Sequence, residues 1–335
     1  MTALSLSRRA MLAGMGACGL APAVRAAPAP AAMRIAPDRE LMVPVEGGSL
    51  YVRINGALDG PRLPLVYMHG GPGSGHAGLL PLTALADERA VILYDQLDSG
   101  RSDAPRDPAN WRVSRFVDEI EAIRSALGID RWHVGGGSWG GTLAIEYGAR
   151  RPAALASLIV QSPLVSTRSW LADAARRRDE LPVQWQATLL ACEGAERPAS
   201  VQCAAADEAY LKTFVVRTDP DPRIRAYRAA APRDAGRTLY ETMWGPTEFR
   251  APGLLHDYDG EALLARLNGQ RTLFMAGEFD EARPATVAAF AARAHGAAFR
   301  EIRGAAHSVL TDQPDAVLAL LRPWLARFDR AGTAR

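Results

Sequence analysis

The chain has 335 residues, 48% of them hydrophobic and 23% charged, with a formal net charge of +2. That balance excludes a disordered or fibrous chain. It offers no electrostatic case for nucleic acid, and the length accommodates one core domain with a large insertion.

The N-terminus reads as a processing segment. Arg8-Arg9 precedes an apolar run to about Ala23, followed by the small-residue site Val24-Arg25-Ala26. This order predicts a twin-arginine signal over residues 1–26, and with it an exported protein, periplasmic or secreted. The apolar run is too short for a stable bilayer-spanning helix. Removing Arg8, Arg9 and Arg25, with no acid among them, takes the charge from +2 to −1. Neither nucleic acid nor stable membrane insertion is therefore expected of the mature chain. Residues 27–40 read as a flexible lead-in.

After the lead-in, short apolar runs alternate with helical patterns. Strands are predicted at 49–54, 63–69, 90–94, 132–136, 155–161, 271–276 and 298–302. Helices are predicted from Ser114 onward, with Phe116, Val117, Ile120, Ile123 and Leu127 on one face, and at 142–150, 284–295 and 314–328. The alternation implies the α/β class, with a mostly parallel sheet covered on both faces. Residues 163–255 break the rhythm with a helical, Arg- and Ala-rich stretch that supplies no strand. They read as a cap inserted into a core formed by 41–162 and 256–330, placed to cover a crevice at the strand ends. Cys192 and Cys203 fall within it. They admit either one disulfide or two buried thiols, and are too few for a metal site.

The chemistry sits at three places. Gly136-Gly137-Ser138-Trp139-Gly140 is a G-x-S-x-G sequence between a strand and a helix. Such a turn is sharp and strained, and it displays Ser138 above the sheet as a nucleophile. His69-Gly70-Gly71-Pro72-Gly73 follows an earlier strand. One backbone N–H there, from Gly70 or Gly71, can join that of Trp139 in binding an oxyanion. A serine needs a base, and the base needs a carboxylate. His307, among small residues after the strand at 298–302, is the best base; His256 and His295 are the alternatives. Asp280, just past the strand at 271–276, is the best acid, with Glu278 and Glu281 as rivals. The order serine, acid, histidine is that of the α/β-hydrolase fold.

These residues resemble the proline iminopeptidase family of α/β-hydrolases. The marks are His69 to Gly73 with His76, Tyr94-Asp95-Gln96 through Gly100-Arg101-Ser102, the Ser138 elbow, Met243 to Phe249, Gly277 to Pro284, and Ala306-His307. The resemblance implies a serine aminopeptidase or amidase that needs no cofactor and acts on small peptides, amides or esters through an acyl-enzyme. It also implies cap carboxylates that hold the substrate's free amine, with Glu248 as one and Glu208 as another. The chain departs from the family at Asp98, where glycine is usual, and at Val215-Val216-Arg217. Two other readings stay open: an esterase or lactonase without amine recognition, and a non-catalytic binding protein on this fold.

Overall fold

The computed structural model describes residues 32–193, 200–231 and 236–329. The predicted signal over 1–26 lies outside them. Eight strands form one sheet: β1 (Arg39–Val45), β2 (Gly48–Asn55), β3 (Leu65–Met68), β4 (Val91–Tyr94), β5 (Trp132–Gly137), β6 (Leu155–Gln161), β7 (Thr272–Gly277) and β8 (Ala298–Ile302). Their spatial order is β1-β2-β4-β3-β5-β6-β7-β8. The β1–β2 and β2–β4 pairs are antiparallel, and the rest are parallel.

Strand alternation divides the apolar side chains between two faces. Val66, Met68, Ile92, Val160 and Phe274 join one core. Leu65, Tyr67, Leu93, Ile159 and Met275 join the other. Because both faces are covered, these strands read as continuous apolar runs. The first face is covered by α1 (Val113–Ala126), α2 (Trp139–Ala149) and α8 (Pro284–Arg293). The second is covered by α10 (Pro314–Asp329) and a 3-10 run over His76–Asp87. In α1 the side chains of Phe116, Val117, Ile120 and Ile123 are buried at helical spacing, as predicted.

Between β6 and β7 lie α3 (Thr167–Asp179), α4 (Val183–Cys192), α5 (Val201–Tyr210), α6 (Pro222–Ala229) and α7 (Arg237–Met243). A short α9 (Val309–Asp312) precedes α10. Leu181, Leu189, Ala206, Tyr210 and Phe214 form a small apolar cluster of their own in this segment. Cys192 and Cys203 are joined as a disulfide linking α4 to α5, with Cα atoms 5.8 Å apart.

Among the elements that escaped the sequence reading are β1, the run at His76–Asp87 and the short α9. β1 begins inside the stretch taken as lead-in. It is an edge strand in which Val43 is the one fully buried residue, so its apolar signal is weak, and Pro44 is tolerated there. The run at His76–Asp87 carries Pro81 and has little amphipathic pattern to read.

The strand order positions the site. The chain leaves β3 for β4 on one side, then returns to β5 on the other. The loops that follow β3 and β5 therefore open a crevice where the winding direction switches.

Candidate active site

The turn that carries Ser138 follows β5. Ser138 has φ 56° and ψ −122°, a conformation that L-residues avoid, and α2 starts at the next residue. The turn is so tight that a side chain at Gly136 would meet the Gly140 carbonyl oxygen at 2.0 Å. Ser138 N–H donates to Gln161 O at 2.9 Å, and its carbonyl accepts from Gly141 and Thr142 at 2.8 and 3.1 Å. Trp139 is the first residue of α2, so its N–H has no intrahelical acceptor.

The loop after β3 abuts this turn. A side chain at Gly70 would meet Ser138 Cβ at 3.0 Å. Gly71 lines the same cavity as Ser138, and the Gly71–Pro72 bond is cis. Gln96 braces the two loops. Its amide donates to His69 O at 2.9 Å and its oxygen accepts the Trp139 indole N–H at 2.8 Å. The Tyr94-Asp95-Gln96 motif marked this segment, but nothing in the sequence showed that it ties both loops. Asp98 takes φ 62° where glycine is usual. Asp tolerates that region, and its carboxylate accepts from Trp111 Nε1 at 2.8 Å and Arg106 N at 2.7 Å.

Asp280 follows β7 and is fully buried. Its Oδ1 lies 2.8 Å from His307 Nδ1 and accepts Ala282 N–H at 2.9 Å. Its Oδ2 accepts from Ser162 Oγ at 2.5 Å and Gly277 N at 3.1 Å. Arg177 of α3 holds the loop from outside, donating through Nε to Asp280 O at 2.8 Å and through Nη2 to Glu278 O at 3.1 Å.

His307 follows β8. Burial disfavours its charged form, but the charge and hydrogen bond of Asp280, with the charge of Glu248, raise its pKa above the ordinary imidazole value. Trp170 of α3 packs edge-on against the ring, with centroids 5.5 Å apart. The Phe214 carbonyl accepts both Glu281 N–H and His307 N–H, each at 3.2 Å. The inserted segment thereby fixes the acid and histidine loops to each other. Of the rival acids, Glu281 Oε1 lies 4.0 Å from His307 Nδ1, against 2.8 Å for Asp280. Glu278 is exposed and accepts Gly304 N–H at 2.9 Å. His256 and His295 are exposed.

Ser138, His307, Glu248 and Glu281 line one cavity of about 490 Å³. Tyr240 donates to Glu248 Oε1 at 2.7 Å. Burial raises the Glu248 pKa, while Tyr240 and His307 oppose it. The Glu281 side chain is 1% exposed, and its Oε2 has no hydrogen-bond partner among the described residues. Burial, then the charges of Glu248 and Asp280, push its pKa well above the carboxylate range.

Glu208 is a correction. It stands on the exposed side of α5, ion-paired with Lys212, 62% of its side chain accessible, and is not among the residues lining the cavity. A carboxylate paired one helical turn away needs no ligand cation. Glu281, weighed in the sequence as a rival acid, occupies the cavity in its place.

Among the described residues no group of three or more His, Cys, Asp or Glu could hold a metal ion. Nor is any helix there long and apolar enough to cross a membrane.

Residues 64–314 match the family model described as alpha/beta hydrolase fold. The proline iminopeptidase of Heyndrickxia coagulans is 38% identical over 267 residues, covering 80% of this chain and 92% of that one. The enzyme of the same name from Lactobacillus helveticus is 33% identical over 294 residues, covering 86% and 97%. The crystal structure of the Mycobacterium smegmatis proline iminopeptidase aligns with a TM-score of 0.80 at 33% identity, covering 87% of this chain and 99% of that one. With this match along nearly all of the described residues, the chain belongs to the α/β-hydrolase fold family, among the proline iminopeptidases.

Proposed function

We propose that this protein is a serine aminopeptidase that releases the N-terminal residue of short peptides, amides or aryl amides, as the names of its relatives suggest. His307 takes the proton of Ser138, whose oxygen attacks the carbonyl of the first residue. Backbone N–H groups of Gly70 or Gly71 and of Trp139 receive the developing oxyanion, worth about 3–4 kcal/mol per donor in comparable sites. Asp280 orients the imidazole and stabilises its charged form. His307 then protonates the departing amine, and water resolves the acyl-enzyme.

The observation that carries this reading is the pair Glu248 and Glu281 in the cavity that holds Ser138 and His307. Two buried carboxylates side by side are costly unless a cation joins them. The ammonium group of a free N-terminus, secondary when that residue is proline, is such a cation, and it sits one carbon from the carbonyl under attack. A pure esterase has no use for the pair. The test compares a prolyl aryl amide with a simple aryl ester in Glu248→Gln. We expect kcat/KM for the amide to fall about a hundredfold more than for the ester. Parallel losses on the two substrates favour an esterase or lactonase.

We further propose export through the Arg8-Arg9 segment. The Cys192–Cys203 disulfide supports an oxidising destination. Replacing both arginines by lysine should keep the chain in the cytoplasm; undiminished export of that variant would refute a twin-arginine signal.

A further inference from the structure

The cavity holds one more charged group. Arg228 of α6 lines it together with Ser138, Glu248 and Glu281. Its guanidinium has no hydrogen-bond or ion-pair partner among the described residues, and neither Glu248 nor Glu281 comes within the 4.0 Å of an ion pair. It lies elsewhere on the cavity wall, with Nη2 3.4 Å from the place a Cβ at Gly78 would take. Gly78 belongs to the run that follows the oxyanion loop.

The residue before this arginine is anchored. The neighbouring Tyr227 hydroxyl lies 2.9 Å from His76 Nε2, and His76 Nδ1 lies 2.8 Å from Asp95 Oδ1. Arg101 stacks on the Tyr227 ring at 4.3 Å. Arg228 follows this anchored tyrosine and is itself exposed to solvent at the cavity wall.

A short peptide is a zwitterion. With its amine at Glu248 and Glu281 and its first carbonyl at Ser138, the leaving part extends towards the remaining wall. We propose that Arg228 receives the free carboxylate of that leaving part, so that dipeptides are the preferred substrate class. A planar guanidinium matches a carboxylate with two parallel hydrogen bonds, and an unpaired one gives up no partner to do so. The assignment rests on the aminopeptidase reading above.

The test measures kcat/KM for Pro-Ala and for its C-terminal amide in the wild type, Arg228→Gln and Arg228→Glu. The wild type should prefer the free carboxylate. The ratio of the two should fall about five- to tenfold in Arg228→Gln, chiefly through KM, and invert in Arg228→Glu. If both substrates are cleaved and the ratio does not move, Arg228 has no such role and the aminopeptidase reading stands. If neither is cleaved while aryl esters are, both fail together.

Discussion

Glu248 and His307 face one cavity, and the carboxylate's negative charge raises the imidazole's affinity for a proton. Burial works in the opposite direction on His307, yet Asp280 and Glu248 together outweigh it. Attack by Ser138 requires the neutral imidazole. Activity should therefore rise with pH along a limb placed above the ordinary imidazole range. Glu248→Gln removes a charge that favours the imidazolium, so the limb should move to lower pH. Rates on an aryl ester lacking an amine isolate this effect from amine binding. A limb that stays in place or moves upward contradicts the assignment.

Ser138→Ala should reduce turnover by at least about a thousandfold and abolish labelling by a fluorophosphonate probe. Ser138→Gly carries a second consequence. The φ of 56° at this position strains any residue with a Cβ. The glycine variant should be more stable than the alanine variant by about 1 kcal/mol, because relief of strain exceeds the entropy glycine adds to the unfolded chain. Paired thermal melts decide this, and equal midpoints would count against stored strain.

Gln96→Leu removes the acceptor of the Trp139 indole N–H and the donor to His69 O, both buried. Each group left without a partner costs about 1–3 kcal/mol. We expect a loss of about 2–4 kcal/mol in urea unfolding, accompanied by a fall in kcat as the two oxyanion loops lose their brace. A destabilised variant with wild-type kcat would show that Gln96 serves folding alone.

The disulfide closes a loop between residues 11 positions apart. Chain-entropy arguments assign such a crosslink about 2–3 kcal/mol. Cys192→Ser with Cys203→Ser should lower the melting midpoint, and a reductant should lower that of the wild type to the same value. Insensitivity of the wild type to reductant would refute a stabilising bond.

The proposed triad is drawn from local signatures: glycines around Ser138, and small or turn residues at Asp280 and His307 just past apolar strands. Chain order did the rest. The amine site was half legible. Glu248 stands in a motif, but Glu281 adjoins Asp280, and sequence cannot say that one neighbour turns toward the imidazole while the next turns into the cavity. Glu208 failed because a helical stretch shows nothing of which face it presents until its packing is known. β1 was missed because an edge strand buries too little to reveal a period.

Arg177 comes from α3 yet grips the carbonyls of Glu278 and Asp280. The insertion between β6 and β7 therefore holds the Asp280 loop in place. Exchanging it wholesale for another enzyme's would change what enters the cleft and, in the same stroke, unfasten the acid. New specificities in this lineage are accordingly more accessible through single changes along the cavity wall than through replacement of the whole segment.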